Sequence, residues 1–338
     1  MSTEAPPTES RHRVRVPPAR DGLDLTLLIC THDKARLLDG ALASVAAQAV
    51  PEGVRWEVLV VGNRCGDETA DVVRRWGESG RFPRLRYISE RRLGVSHARR
   101  RGLRESLGRL VGFVDDDCLL APDWAANALA FAAENPRAGA YGGRNELVWE
   151  APPTPIAELY GESLARQDLG PDPVRMPVRE WRMPVGAGMV LRREAILDSG
   201  WLDHGTLRSR AGRGLQAGED AEIALRIRRA GWQVWYSPRL RLRHVIPPER
   251  MTLGYLRRLH HGFGRADVYL RDLGVGPRPH PRLDGLAWSV GVLREVLDRY
   301  EEGYVRYEDE RPTWLIRLSY ARGCVEGAVR FLLTGRGW

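Results

Sequence analysis

Leu110-Val111-Gly112-Phe113-Val114-Asp115-Asp116-Asp117 is a short apolar run that ends in three consecutive carboxylates. The run reads as a buried strand. Three like charges at its end need solvent, hydrogen-bond donors or a cation, because crowded carboxylates oppose one another's ionisation. Working outward, residues 25–30, 56–61 and 85–88 are similar apolar runs that precede it. Between and after them, residues 35–45, a stretch ending at Trp76, residues 96–107 and residues 122–134 carry helical patterns, the last with proline at an allowed early position. Short strands alternating with amphipathic helices predict a parallel α/β sheet rather than a bundle or sandwich. Such sheets bind ligands beyond the carboxyl ends of their strands. Polar residues gather at those ends: Thr31, His32 and Asp33 after the first strand, residues 63–69 after the second, and Asp115 to Asp117 after the fourth. Three polar strand ends in succession predict one common pocket.

Farther along, the periodicity fades over residues 139–184, where Pro152, Pro153, Pro155, Pro171, Pro173 and Pro177 break the chain; this predicts an irregular insertion. Order returns with residues 186–191, a helix over 194–199, a glycine-rich stretch over 209–218 and a helix over 219–230. Residues 233–236 and 240–244 read as two short strands. Helices follow over 251–272, 285–300 and 311–334, the first two separated by a Gly/Pro linker. The expected organisation is a flexible leader (1–22), a catalytic domain (23–250) and a helical extension (251–338).

With 338 residues, 43% hydrophobic and 28% charged, the chain can bury a substantial core, which excludes wholesale disorder and a miniature disulfide scaffold. The formal charge of +8 favours anionic partners. Only Lys34 interrupts an otherwise arginine-only basic inventory. The arginines are dispersed and no compact nucleic-acid motif accompanies them, so nucleic acid is not the expected partner. Cys30, Cys65, Cys118 and Cys324 form no close pair, which argues against zinc or a dithiol centre and fits a reducing compartment. The first twenty residues lack the apolar core of a secretory signal, and no window of 18 predominantly apolar residues occurs later. The reading is a cytoplasmic protein in which residues 251–334, with apolar helical faces and many arginines, contact a membrane peripherally or form a homo-oligomer.

The acidic triplet suits a hard divalent cation that bridges carboxylates to a pyrophosphate. Asp115 and Asp117 are the stronger candidates, since backbone alternation sends the middle Asp116 elsewhere. In Gly94-Val95-Ser96-His97-Ala98-Arg99, Ser96 can cap a helix whose first turn offers donors to phosphate, and Arg99 returns toward the pocket. Gly218-Glu219-Asp220 opens another helix; a carboxylate there either caps it or acts as a general base on an acceptor hydroxyl, and spacing alone does not choose between Glu219 and Asp220. His244 ends an apolar strand and offers an imidazole for Mn2+ or a leaving phosphate. Trp149, Tyr160, Trp181 and Trp201 are aromatic candidates for stacking on a sugar.

Taken together and in order, these motifs resemble family-2 inverting nucleotide-sugar glycosyltransferases with a GT-A fold, over about residues 25–265. Leu28-Ile29-Cys30-Thr31-His32-Asp33-Lys34 is similar to the family's opening strand and nucleotide loop, and Val60-Val61-Gly62-Asn63-Arg64-Cys65-Gly66-Asp67-Glu68-Thr69 to its second. Where the family often carries an aspartate against uracil, this chain has Gly62, which speaks against UDP. The resemblance implies donor contacts by Thr31, His32, Asp33, Asn63, Asp67, Arg99, Asp115 and Asp116, with Asp115 near the ribose. It implies a Mg2+ or Mn2+ site at Asp117, with His244 a late metal or diphosphate contact. Gly186-Ala187-Gly188-Met189 resembles the acceptor-side segment, so that Gly188, Trp181 and Trp201 are the acceptor-side residues. Asp220 is then the general base, with Glu219 orienting substrate. The implied reaction moves a sugar, with inversion, from a nucleotide-sugar donor to a hydroxyl of a carbohydrate, lipid-linked or small-molecule acceptor. Two other classes fit the same residues: a nucleotidyltransferase, and a noncatalytic protein that binds a nucleotide sugar or carbohydrate.

Overall fold

Four of the strand-like runs form the parallel part of one sheet. The computed structural model of the chain describes residues 22–176, 183–207, 215, 217–275, 280–300, 306 and 308–335. Strands β1 (Leu23–Thr31), β2 (Trp56–Asn63), β3 (Leu85–Glu90) and β4 (Gly108–Asp115) lie in the order β3-β2-β1-β4, all parallel. Helices α1 (Ala35–Ala46), α2 (Thr69–Glu78) and α3 (Val95–Glu105) make the crossovers. β1 is covered on both faces, which is why its sequence is nearly continuous in apolar residues instead of alternating. Leu27, Ile29, Val60 and Trp124 pack on one side of the sheet, and Leu28, Val61, Phe113 and Trp201 on the other.

The chain continues through β5 (Cys118–Leu120), α4 (Trp124–Glu134), β6 (Ala138–Trp149), α5 (Pro155–Leu159), β7 (Val174–Arg175), β8 (Val190–Arg192), α6 (Arg193–Ser199) and α7 (Trp201–His204). Then come α8 (Glu219–Arg229), β9 (Gln233–Ile246), α9 (Leu253–Val275), α10 (Pro281–Asp298) and α11 (Arg311–Thr334). β8 pairs antiparallel with β4 and extends the sheet to β6, β9 and β5, while β7 pairs with β9. The structure is thus the expected α/β sheet flanked by helices, parallel in one half and mixed in the other.

Two sequence expectations fail here. The irregular insertion expected from residue 139 begins instead with β6, a 12-residue strand between β8 and β9. Gly139, Gly142 and Gly143 look like breakers in sequence, but at Gly143 a Cβ would run into the Leu240 carbonyl oxygen, so the glycine records a close strand approach. The two short strands expected over 233–244 are one 14-residue strand, β9. Their apparent break at Ser237-Pro238 is absorbed as a bulge: β6 pairs with β9 from Gly142–Tyr236 to Arg144–Arg241 across a register shift.

The helices after β9 match the expected ones within a few residues, but α9 does not stand off as an appendage. Its Ala266 and Leu270 share a core with Leu207 and Leu225, the latter on α8. α9 also lies close along α11, where Gly264 meets the Tyr320 carbonyl with no room for a side chain. No helix among the described residues is long and apolar enough to cross a membrane.

One buried acid ties the amino ends of the parallel strands. Glu57, with no exposed surface, accepts hydrogen bonds from the Thr26 hydroxyl (2.9 Å), Arg86 Nε (2.8 Å) and the Leu107 amide (2.9 Å). These join β1, β3 and the turn into β4 to β2. Glu57→Ala strands the Arg86 guanidinium and the buried donors, and should cost about 3 kcal/mol in urea unfolding, with the fold retained at low denaturant.

Candidate active site

The register of the sheet brings the site together. Cys30 of β1 lies opposite both Val61 of β2 and Asp115 of β4, so the polar residues that follow all three strands share one edge. The chain turns at Asp116-Asp117 into β5, whose Cys118 is paired with His244 of β9. The Val245 amide donates to the Asp117 carbonyl at 2.8 Å and fixes that turn. Asp117 and His244, 127 positions apart in the sequence, are thereby neighbours by strand register.

Asp117 is buried among cations. Its Oδ1 lies 3.1 Å from His244 Nε2, and its Oδ2 is 2.9 Å from Arg250 Nη2 and 3.3 Å from Lys34 Nζ. Burial pushes this carboxyl upward, but His244, Arg250 and Lys34 hold it well below the ordinary carboxylate range. Asp116 does not turn away as alternation suggested. It lines the same cavity and takes Lys34 Nζ at 3.2 Å. Burial pushes its carboxyl up to about 6, against the pull of Lys34 and with the push of Asp117.

Asp115 meets a different cation. Arg99 of α3, 6% exposed at its side chain, donates from Nη2 to Asp115 Oδ1 at 3.1 Å and from Nη1 to Glu219 Oε1 at 2.9 Å. Its guanidinium lies 4.7 Å from the centroid of the Phe113 ring. Burial opposes the charge, yet Asp115 and Glu219 raise Arg99 above its usual range. One residue after Glu219, Asp220 accepts from the Gly186 amide (3.0 Å, Oδ2) and from the adjacent Ala221 amide (2.8 Å, Oδ1).

These residues line one cavity of ≈ 680 Å³, within the range of small-ligand sites. Among the described residues that line it, seven carboxylates stand against three cations, Lys34, Arg99 and Arg250. The family model described as glycosyl transferase family 2 matches residues 26–198, which take in most of β1, all of β2 to β4 and the acidic triplet. The chain belongs to that family. Among its relatives are the succinoglycan biosynthesis protein ExoM of Rhizobium meliloti, 26% identical over 71% of this chain and 73% of ExoM, and the glucosyl-dolichyl phosphate glucuronosyltransferase of Haloferax volcanii, 25% identical over 69% and 73%. The fold is similar to that of the Pyrobaculum calidifontis mannosyltransferase solved with GDP-Man and Mn2+, at 20% identity and TM-score 0.58, over 94% of this chain and 89% of that one.

Within this glycosyltransferase the expected site residues divide. Thr31, His32, Asn63, Arg99, Asp115, Asp116, Asp117, Glu219, Asp220 and His244 all line the cavity. Asn63 spends its side chain on the loop after β3, donating to the Arg92 carbonyl at 2.7 Å and accepting from the Gly94 amide at 2.7 Å. Asp33 and Asp67 are not among the lining residues. Asp33 accepts from the Gly66 amide (2.7 Å) and Asp67 from the Ala35 amide (2.9 Å), so both carboxylates organise the loops. Asp67 sits at the start of α1, and hydrogen bonds from Thr69 and Ala35 hold its carboxyl below the ordinary range although burial opposes this.

On the acceptor side, Gly188 packs against Leu242 and Trp124, and Trp201 is fully buried beneath Arg100, so neither lines the cavity. Trp181 lies outside the described residues. Ser96 does not cap α3. Gly94 occupies that position at φ 130°, and the Ser96 hydroxyl donates to the Leu207 carbonyl at 3.2 Å. At Gly62 the room an aspartate side chain would need is filled by Tyr87.

Among the charged cavity residues, Lys34, Glu162, Arg250 and Asp267 escaped the sequence reading. Lys34 carried a signal, as the lone lysine directly after a polar strand end, whereas Arg250 and Asp267 carried none. The donor set near Asp117 fits a divalent cation. His244 Nδ1 faces the Leu164 carbonyl at 3.0 Å and must donate to it, which turns Nε2 toward the acid. A carboxylate oxygen beside an anchored imidazole nitrogen suits Mn2+, and Mg2+ through the oxygen. Cys118 lies near both, and burial holds its thiol well above the usual range.

Arg99→Met leaves Asp115 and Glu219 without their shared counter-charge and should lower stability by about 3 kcal/mol in urea unfolding. Arg99→Lys, with one compact ammonium, should recover only part of this, because it cannot fork between β4 and α8.

Proposed function

We propose that the chain is an inverting, metal-assisted transferase that moves a sugar from a nucleotide-sugar donor to an acceptor hydroxyl, with Asp220 as general base. The observation that carries this reading is Asp220 itself: a carboxylate that lines the cavity, oriented by two backbone amides, in a cleft shared with the acidic triplet. An acceptor hydroxyl gives up its proton with difficulty in water. A fixed carboxylate takes that proton as the new bond to the anomeric carbon forms, while the bond from that carbon to the nucleotide diphosphate breaks. Attack from the face opposite the leaving group inverts the configuration.

Charge balance supports a cation at Asp117 and His244. A diphosphate entering a cleft with an excess of carboxylates meets repulsion, which a divalent cation would relieve at the developing charge. Arg250 and Lys34 lie on the same acids and would flank the diphosphate. Arg99 is less available to phosphate than the resemblance implied, since both of its terminal nitrogens already serve Asp115 and Glu219. The Pyrobaculum mannosyltransferase, solved with GDP-Man and Mn2+, takes a donor of this class.

Asp220→Asn keeps the side chain's size and one of the two amide contacts, since its NH2 group cannot accept the other, and removes the base. Its transfer rate should fall by about 10²–10⁴-fold, with donor affinity in calorimetry unchanged; an unaltered rate in folded protein would exclude Asp220 from the role. Asp117→Ala should abolish the stimulation of nucleoside diphosphate binding by Mn2+ in the same calorimeter. Full Mn2+ dependence in that variant would move the cation site elsewhere.

A further inference from the structure

The cavity has an apolar side that the donor chemistry does not use. Tyr255, Phe263 and Leu270 of α9 line it, joined by Leu225 of α8. Set among them is one carboxylate, Asp267. Its Oδ2 accepts the Tyr320 hydroxyl at 2.6 Å from α11. Its other oxygen has no hydrogen-bond or ion-pair partner among the described residues. Burial pushes this carboxyl up to about 6 although Tyr320 and Arg271 pull it down, so it is largely ionised at neutral pH in an apolar setting. Asp267 is half-buried on the cavity wall, so the oxygen that Tyr320 leaves free can accept a hydrogen bond from a bound molecule.

The place of Asp267 is tied to the proposed base. Ala266 and Leu270, on either side of it along α9, pack within 3.0 and 3.3 Å of the Cβ position at Gly218, two residues before Asp220. The wall bearing Asp267 therefore abuts the start of the helix that carries Asp220.

We propose that this wall is the acceptor subsite, in which Asp267 accepts a hydrogen bond from a sugar hydroxyl of a neutral acceptor whose apolar group lies on Phe263, Tyr255 and Leu270. A phosphate or carboxylate at this position would be repelled by Asp267, so the portion held here is an uncharged polyol with an adjoining apolar moiety. The inference rests on the transferase reading and gives α9 a direct part in acceptor choice.

Calorimetry on the full chain with octyl β-D-glucopyranoside below its micelle concentration, and with methyl β-D-glucopyranoside, tests this subsite. The octyl glycoside should bind at least about ten-fold more tightly than the methyl one. D267N keeps an acceptor for Tyr320 but loses the charge, and should weaken both glycosides by about ten-fold or more. F263A should remove the octyl preference and leave methyl glycoside binding nearly intact. Equal affinity for the two glycosides, binding of neither, or unchanged binding in D267N would overturn the proposal. Should D267N fail to fold, F263A decides: a retained octyl preference overturns it. Nucleoside diphosphate binding is measured in parallel. Its absence from the wild-type chain would refute the donor reading, whereas its presence with no glycoside binding would refute the subsite alone.

Discussion

A buried guanidinium is the constraint on which the site depends. Arg99 bridges Asp115, at the end of a sheet strand, to Glu219, at the start of α8, and both contacts lie in an environment where unpaired charge is costly. Asp220 follows Glu219, so fixing Glu219 also fixes the proposed base relative to the acidic triplet. The packing leaves no slack. A Cβ at Gly186 would come within 2.8 Å of Asp220 Oδ2 and 3.1 Å of Arg99 Nη2, so the segment that donates its amide to Asp220 can carry only glycine there without displacement.

The fold supplies this arrangement through its two kinds of strand pairing. Parallel pairing of β1, β2 and β4 puts three polar loops at one edge, as in other α/β sheets. Antiparallel pairing of the short β5 with β9 brings His244 beside the triplet. The net charge of +8 hides this local reversal: the cleft itself is rich in carboxylates while the arginine excess is spread over the rest of the chain.

Most of the parallel half was legible because β1, β2 and β4 are buried on both faces and its helices carry an apolar stripe. β6 and the continuity of β9 were not, because glycines and a Ser-Pro step that serve a close approach and a bulge look locally like chain breakers. Sequence order expected the triplet, Arg99, Glu219, Asp220 and His244 in one pocket because they stand at or near element ends, and the structure places all of them on one cavity. It misjudged Asp33, Asp67 and Trp201, whose hydrogen bonds and burial are set by tertiary contacts with no local signature. Asp267 was invisible for the opposite reason. An acid in a long amphipathic helix looks solvent-facing until α11 and α8 pack around it.

The cations of the cleft fall into two kinds, and the difference bears on how charge can change during a reaction cycle. Arg99 is nearly inaccessible and forks between two elements, so its removal would unbuild the cleft. Lys34 is one-third exposed, hangs from the loop after β1 and touches single oxygens of two acids at 3.2 and 3.3 Å. A compact ammonium on a flexible stem can leave such contacts without moving the backbone, whereas a planar guanidinium fork would have to break paired bonds together. The one lysine of an arginine-rich chain thus stands at the acids proposed to take a divalent cation. Arg99 neutralises the Asp115 and Glu219 side for good, while on the other side the nearly buried Arg250 stays on Asp117 and Lys34 is the cation that can leave Asp116 and Asp117.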